Sequence, residues 1–288
     1  MRRRRNAASI LGVTGRTRTV VYLVIAFGWT WALWIGGWWL GLVQQTPIST
    51  SGTVFSLAGR AGSPGFLPQL MFDLAVFGPL LGYLAARQYR PVWGRPTRQS
   101  VLIAVLVPIV LVVPAFVLTA ASGVPAAGIS ASVALGAIAT YLASNLVTSG
   151  TEEFGWRGYL QPTLRRNEST LWGAAWKVGL IWAAWHYPLM VILYWQLGFV
   201  MIFTIAGFTA SIVAMAWITG LVYEQSNSIA LVALLHALNN TANFALMLIF
   251  PASPFTIVTA AMAWAAVFVL ERRYRDHQPA AAAERPER

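Results

Sequence analysis

The sequence contains no cysteine and very little charge. Its 288 residues are 57% hydrophobic and 10% charged, whereas a soluble domain carries roughly 25% charged residues. The absence of cysteine excludes disulfides, thiolate zinc sites, iron–sulfur clusters and a cysteine nucleophile. Any chemistry must therefore use carboxylates, histidines, hydroxyls or backbone groups.

Charge is missing from long continuous stretches of the chain. Residues 101–151, 178–223 and 225–270 contain no Asp, Glu, Lys or Arg, and such stretches predict membrane-spanning helices of about 20 residues each. Eight spans are predicted, over residues 19–43, 66–86, 101–121, 131–164, 169–195, 198–223, 227–250 and 253–271. The expected fold class is an all-α polytopic membrane protein, a bundle of about eight transmembrane helices.

The arginines predict the orientation of this bundle. Lys and Arg number 20 against 9 Asp and Glu, and most of them lie in the tails and connections, whereas a nucleic-acid-binding protein would carry them on a folded polar surface. No nucleic-acid partner is expected. Arginine clusters on alternate connections favour an even number of spans with both termini cytoplasmic, because basic loops remain inside. The N-terminal cluster Arg2–Arg5 is expected to contact anionic lipid headgroups.

Three parts of the chain follow from these patterns. Residues 1–18 are expected to form a basic cytoplasmic tail, 19–271 the transmembrane helical domain, and 272–288 a disordered cytoplasmic tail rich in Ala, Pro and charge. Within the spans, Asp73, Lys177 and Glu224 lie near predicted ends, where a charged side chain can reach water. We interpret these three as residues of the membrane interface.

Two adjacent carboxylates interrupt the fourth span. Glu152 and Glu153 follow about fifty residues without charge, and each costs roughly 2.5–3.5 kcal/mol at mid-membrane on the insertion scale. Arg157 lies four residues after Glu153, on the same helical face, where it can neutralise that carboxylate. Glu152 points about 100° away from Glu153. The spacing therefore predicts a Glu153–Arg157 ion pair and a Glu152 carboxylate free for another role.

Two further spans carry histidines. His186 lies deep in the fifth span, and Pro188 cannot donate a hydrogen bond to the carbonyl of Ala184, so a helix break is predicted beside the histidine. His236 and Asn240 are four residues apart and share a helical face. At about 1.5 Å per residue, Glu152, His186 and His236 lie roughly 14–25 Å from the inner ends of their spans. These depths predict that the three helices form one polar cavity inside the membrane.

These residues resemble the motifs of the CPBP family, the CAAX proteases and bacteriocin-processing enzymes also called the Abi family. The family's E-E-x-x-x-R matches Glu152, Glu153 and Arg157. Its F-x-x-x-H matches Trp182 to His186 with Trp replacing Phe, and its H-x-x-x-N/D matches His236 and Asn240. The resemblance covers about residues 130–250, which would be the protease core.

The resemblance implies an intramembrane endopeptidase. In that reading Glu152 and His186 activate water, and His236 with Asn240 stabilises the oxyanion. A carboxylate withdrawn from water can act as a general base near neutral pH, and imidazole and amide groups suit an oxyanion. Glu152, His186 and His236 could equally ligate a divalent metal such as zinc, and the sequence leaves this choice open.

The substrate expected is a peptide precursor or a membrane protein. The Cys-free, Ala- and Arg-rich composition is typical of a bacterial inner-membrane protein. Three rival functions remain at this point: a catalytically idle membrane binding or immunity protein of the same fold, a proton-coupled carrier that uses the Glu and His residues, and a cytochrome with His186 and His236 as haem ligands. The cytochrome leaves Glu152, Glu153 and Arg157 without a role.

Overall fold

The computed structural model describes residues 15–49, 52–86 and 93–276, and within these ranges the chain is helical except for connections and one isolated antiparallel bridge, Trp93 to Ser228. The α-helices are α1 Gly15–Val43, α2 Phe66–Leu74, α3 Gly78–Ala86, α4 Arg98–Ala121, α5 Ala131–Gly155, α6 Gln161–Arg165, α7 Leu171–Trp185, α8 Tyr187–Tyr194, α9 Val200–Ser226, α10 Ile229–Ile249 and α11 Thr256–Asp276. Shorter 3₁₀ turns cover Val54–Arg60, Ala75–Phe77 and Trp195–Leu197, and a π-helical turn covers Trp156–Leu160. The predicted all-α fold is confirmed.

Hydroxyl side chains fix where four of the long helices begin. The first residue before each of α4, α5, α7 and α10 accepts a hydrogen bond from a backbone N–H of the first turn, which satisfies a donor that the helix leaves unpaired. These caps are Thr97, Ser130, Thr170 and Ser228. Helix α9 ends at Asn227, whose φ of 47° is left-handed, a conformation that stops a helix.

The predicted count of eight spans is not confirmed. Six helical segments are long and apolar enough to cross a membrane, and a bent pair of helices, α7 with α8 and its following turn, makes up to seven. The difference lies in α11, predicted as the eighth span over 253–271. Its apolar stretch ends at Leu270, and Glu271, Arg272 and Arg273 follow within the same helix, so the uncharged part falls short of the roughly 20 residues that a span needs.

The boundaries of the two predicted tails also differ from those in the structure. Helix α1 starts at Gly15, so residues 15–18 belong to the first helix and not to a separate tail. Helix α11 continues to Asp276, so residues 272–276 are helical and not disordered. The charges in the last turns do not stop this helix, because charged residues are compatible with a helix that extends beyond the hydrocarbon core of the membrane. The remaining tail residues, including Arg2–Arg5, lie outside the described residues.

The predicted break beside His186 is confirmed. Helices α7 and α8 meet at this residue with a bend of 46°, and Pro188 occupies the first turn of α8. Proline is tolerated there because the first helical N–H groups have no intrahelical acceptor. The break leaves His186 at the junction of two helices.

Helix α5, which carries Glu152 and Glu153, contacts two other helices of the bundle. It packs against α10 on one side and against α3 on another, while α7 packs on α9 and α1 packs on α2 and α3. Fully buried aromatic side chains fill the space between these pairs, among them Trp34, Trp156, Trp182 and Trp185. The outer surface is apolar, with Phe199 and Phe203 more than 60% exposed, as expected for a surface in contact with lipid.

Gly155 allows a close approach of α5 to α1 and α3. A Cβ atom on Gly155 would lie 2.6 Å from Cβ of Pro79, 2.7 Å from the Pro79 carbonyl oxygen and 2.8 Å from the Tyr22 hydroxyl. The neighbours are backbone and rigid ring atoms, so they cannot move aside easily. Any side chain here would push α5 away from α1 and α3, two residues after the carboxylate pair.

We expect Gly155→Ala to lower the stability of the detergent-solubilised protein by about 1–3 kcal/mol through overpacking. The matched control is Gly136→Ala in the same helix, because nothing lies within 4 Å of a Cβ atom at that position. Thermal unfolding of the two variants measures the difference. Equal melting temperatures would contradict the close packing of α5 described here.

Candidate active site

Four of the six residues singled out in the sequence line one cavity. Glu152 from α5, His186 at the α7–α8 break, and His236 and Asn240 from α10 surround a volume of about 280 Å³. This is near the lower end of the roughly 300–1,000 Å³ of ligand pockets. The cavity predicted from the depths of the three helices is therefore present. Glu153 and Arg157 lie behind its wall.

Glu152 is held by two tryptophans. Its Oε2 atom accepts hydrogen bonds from the indole N–H groups of Trp156, at 3.2 Å, and of Trp182, at 3.1 Å. An indole N–H only donates, so both tryptophans favour an oxygen acceptor at this position. The residue is 5% exposed and faces the cavity. Trp182, the departure from the family's Phe, thus contacts the carboxylate directly.

Glu153 turns away from the cavity and pairs with Arg157. Its Oε2 lies 3.0 Å from Nη1 of Arg157, and both side chains are fully buried. Arg157 also donates a hydrogen bond from Nη2 to the Thr219 hydroxyl on α9, and its guanidinium lies 4.7 Å from the ring centre of Trp182. The ion pair predicted from the four-residue spacing is present, and it links α5 to α7 and α9.

The other oxygen of Glu153 holds His236. Nδ1 of His236 donates to Oε1 at a distance of 2.7 Å, since the carboxylate oxygen is the acceptor. No pattern in the sequence predicted this contact between α5 and α10. Because Nδ1 is engaged, Nε2 is the ring nitrogen of His236 that remains for chemistry in the cavity.

His186 is oriented in a similar way by the backbone. Its Nδ1 donates to the carbonyl oxygen of Trp182 at 2.8 Å, which leaves Nε2 with its lone pair when the ring is neutral. The ring packs edge-on against Trp185 and Phe208. Both histidines of the cavity therefore have Nδ1 fixed by a protein acceptor and Nε2 unengaged by these contacts.

Asn240 joins a small polar network that sequence reasoning missed. Its amide nitrogen donates to Oδ1 of Asn145 at 3.1 Å and to Oγ of Ser149 at 3.0 Å, and Ser149 donates to Asn145 at 2.9 Å. Asn145 and Ser149 precede Glu152 by seven and three residues, so the helical spacing places all three on one face of α5. This spacing is the sequence pattern that could have identified the network. Both amide hydrogens of Asn240 are used here, so donation to an oxyanion requires one of these bonds to open.

The arrangement does not form a metal-binding group. Among the described residues, no cluster of three or more His, Asp or Glu side chains is placed to hold a metal ion. Oε2 of Glu152 accepts from two indole donors, and the Nδ1 atoms of both histidines are bound to protein acceptors. Glu152, His186 and His236, the predicted metal ligands, thus share the cavity but are not grouped closely enough in this structure to form a ligand set.

These features define a polytopic membrane protein with a Glu and His site enclosed by its spanning helices. Residues 134–242 match the family model described as type II CAAX prenyl endopeptidase Rce1-like. This segment contains Glu152, Glu153, Arg157, His186, His236 and Asn240. Over these residues the chain is similar to the CAAX protease family that its motifs indicated, which is a family of proteases. No curated protein matches the chain.

Proposed function

We propose that the protein is an intramembrane endopeptidase in which Glu152 activates a water molecule. The observation that carries the proposal is that Glu152, His186 and His236 face one cavity within a bundle of spanning helices. Both indole hydrogen bonds go to Oε2 of Glu152, which leaves Oε1 for a water molecule in the cavity. Nε2 of His186 is an acceptor suited to the second hydrogen of that water.

The proposed reaction is hydrolysis of a peptide bond. Glu152 takes a proton from water, and the hydroxide attacks the scissile carbonyl carbon. His236, held at Nδ1 by Glu153, donates from Nε2 to the oxyanion that forms. Glu152 then gives its proton to the leaving amine as the carbon–nitrogen bond breaks. The products are a new carboxyl terminus and a new amino terminus.

The proposed substrates are peptide precursors or membrane proteins, including bacteriocin-type precursors, in a bacterial inner membrane. A cavity of about 280 Å³ accommodates an extended peptide segment and not a folded domain. We further propose that Asn240 assists His236 at the oxyanion once it releases Ser149 or Asn145.

We expect Glu152→Gln to lower turnover by about 10²–10⁴-fold, the usual contribution of a general base. The amide oxygen can still accept from Trp156 and Trp182, so thermal stability should match that of the wild type. Comparison of the proteomes of membranes carrying each form will identify the substrates as proteins cleaved only with the wild type. Glu168→Gln is the control, because Glu168 pairs with Lys177 near a helix end, away from the cavity.

The same assay separates the proposed chemistry from its rivals. Activity should persist after dialysis against a chelator, and loss of activity that zinc restores would contradict the metal-free reaction. A Glu152→Gln protein that cleaves the same proteins as the wild type, or supports the same cellular phenotype, would favour an idle relative of the family.

We propose that both termini are cytoplasmic, supported by the arginine-rich N-terminus and by Arg60 as the only arginine of the connection over 44–65. This orientation requires α11 to cross the membrane as an eighth span.

Because the chain has no cysteine, single introduced cysteines report the side of the membrane on which each position lies. Positions 167 and 280 should label from the cytoplasmic side and position 55 from outside. Labelling of 55 and 280 from the same side would contradict the proposed topology.

A further inference from the structure

A second carboxylate, from a helix that carries none of the motifs, lines the cavity. Asp73 belongs to α2 and shares the cavity with Glu152, His186 and His236. The sequence placed Asp73 near the end of a span and favoured an interface residue. The structure adds that Asp73 lines the cavity, whereas Lys177 and Glu224 pair with charged partners near helix ends. The proposed hydrolysis does not use Asp73.

Asp73 is held in place on one side only. Gln69, which is 2% exposed, donates from Nε2 to Oδ1 of Asp73 at 2.9 Å. Gln69 is itself fixed by two hydrogen bonds to the backbone of Ser49, at 2.9 and 3.1 Å. Oδ2 of Asp73 is buried and has no hydrogen-bond partner in the described part of the chain. The carboxylate therefore has a fixed orientation and an unused acceptor.

The carboxylates that line the cavity favour a positively charged ligand. Asp73 and Glu152 line it, and no Lys or Arg of the described residues does. Arg157 is engaged by Glu153 behind the wall. Arg60 interacts electrostatically with Asp73 from the neighbouring turn, yet no ion pair within 4 Å joins the two among the described residues. Negative charge in a cleft with low-dielectric walls attracts cations.

Aromatic rings line the same cavity as this carboxylate. Trp34 and Phe72 both belong to its wall and lie 6.3 Å apart between ring centres. Such walls suit the long aliphatic part of a lysine or arginine side chain, whose charged end can then reach a carboxylate.

We propose that Asp73 determines the specificity of the site by binding a basic side chain, lysine or arginine, of the peptide substrate beside the bond that is cleaved. The inference rests on the proposed protease function. Asp73 is a specificity-determining residue in this account, and Gln69 positions it.

The test uses the purified full-length protein in lipid nanodiscs and a library of synthetic apolar peptides that carry Lys, Arg, Leu or Glu at one varied position. Cleavage sites and rates are read by mass spectrometry. We expect the wild type to cleave the Lys and Arg peptides fastest, at a fixed distance from the basic residue, and the Leu peptides slowly. Asp73→Asn should lose about 30-fold or more in kcat/KM on these peptides, because the buried substrate charge loses its partner, and little on the Leu peptides.

Charge reversal distinguishes recognition from a structural role. Asp73→Lys should shift the preference towards the Glu peptides, which a merely destabilised site would not do, and Glu168→Gln should keep the wild-type preference. Cleavage of the Leu peptides by the wild type as fast as the Lys and Arg peptides, or unchanged preference in Asp73→Asn, would contradict this inference alone. A library cleaved equally by the wild type and Glu152→Gln would contradict the proposed function and this inference with it.

Discussion

The buried carboxylate of Glu153 is the group on which the rest of the site depends. A charge without a partner is costly inside a membrane protein. The Glu153 carboxylate contacts both the guanidinium of Arg157, at 3.0 Å, and the imidazole of His236, at 2.7 Å. Through these contacts and the Arg157–Thr219 hydrogen bond, α5, α9 and α10 share one ionic network. The network fixes His236 so that Nε2 is the nitrogen left for the cavity.

Adjacent positions on a helix give the two carboxylates opposite environments. Residues i and i+1 point about 100° apart, so Glu153 faces the ionic network while Glu152 faces the cavity and two indole donors. The helix then passes into a π-helical turn over Trp156–Leu160, a rare geometry that is often found at functional sites. The turn carries both Trp156 and Arg157, the partners of the two carboxylates. Gly155 keeps this stretch in contact with α1 and α3.

Much of this arrangement was predictable because it follows from periodicity within single helices. The spans appear as uncharged runs, the Glu153–Arg157 pair appears as a four-residue spacing, and the break at His186 appears as a proline two residues later. The shared cavity followed from the depths of Glu152, His186 and His236 in their spans. Each of these features is local or depends on one distance along a helix axis.

The features that were missed depend on contacts between helices. The Glu153–His236 hydrogen bond, the Arg157–Thr219 contact and the Asn240 network require the rotation of one helix relative to another, which no single-helix pattern contains. The place of Asp73 in the cavity wall was also missed, because nearness to a span end does not show whether a side chain faces lipid, water or a cavity. The eighth span is not confirmed because the charged turns of α11 shorten its apolar stretch.

The most direct test of the central role of Glu153 is a double-mutant cycle with Arg157, read by thermal unfolding and by turnover. Glu153→Gln and Arg157→Met should each lose about 3–5 kcal/mol, because each leaves one buried charge unpaired. The double variant should be more stable than either single variant, since it leaves neither charge, yet it should stay inactive because His236 lacks its carboxylate partner. Additive losses of stability, or wild-type turnover in the double variant, would contradict the account.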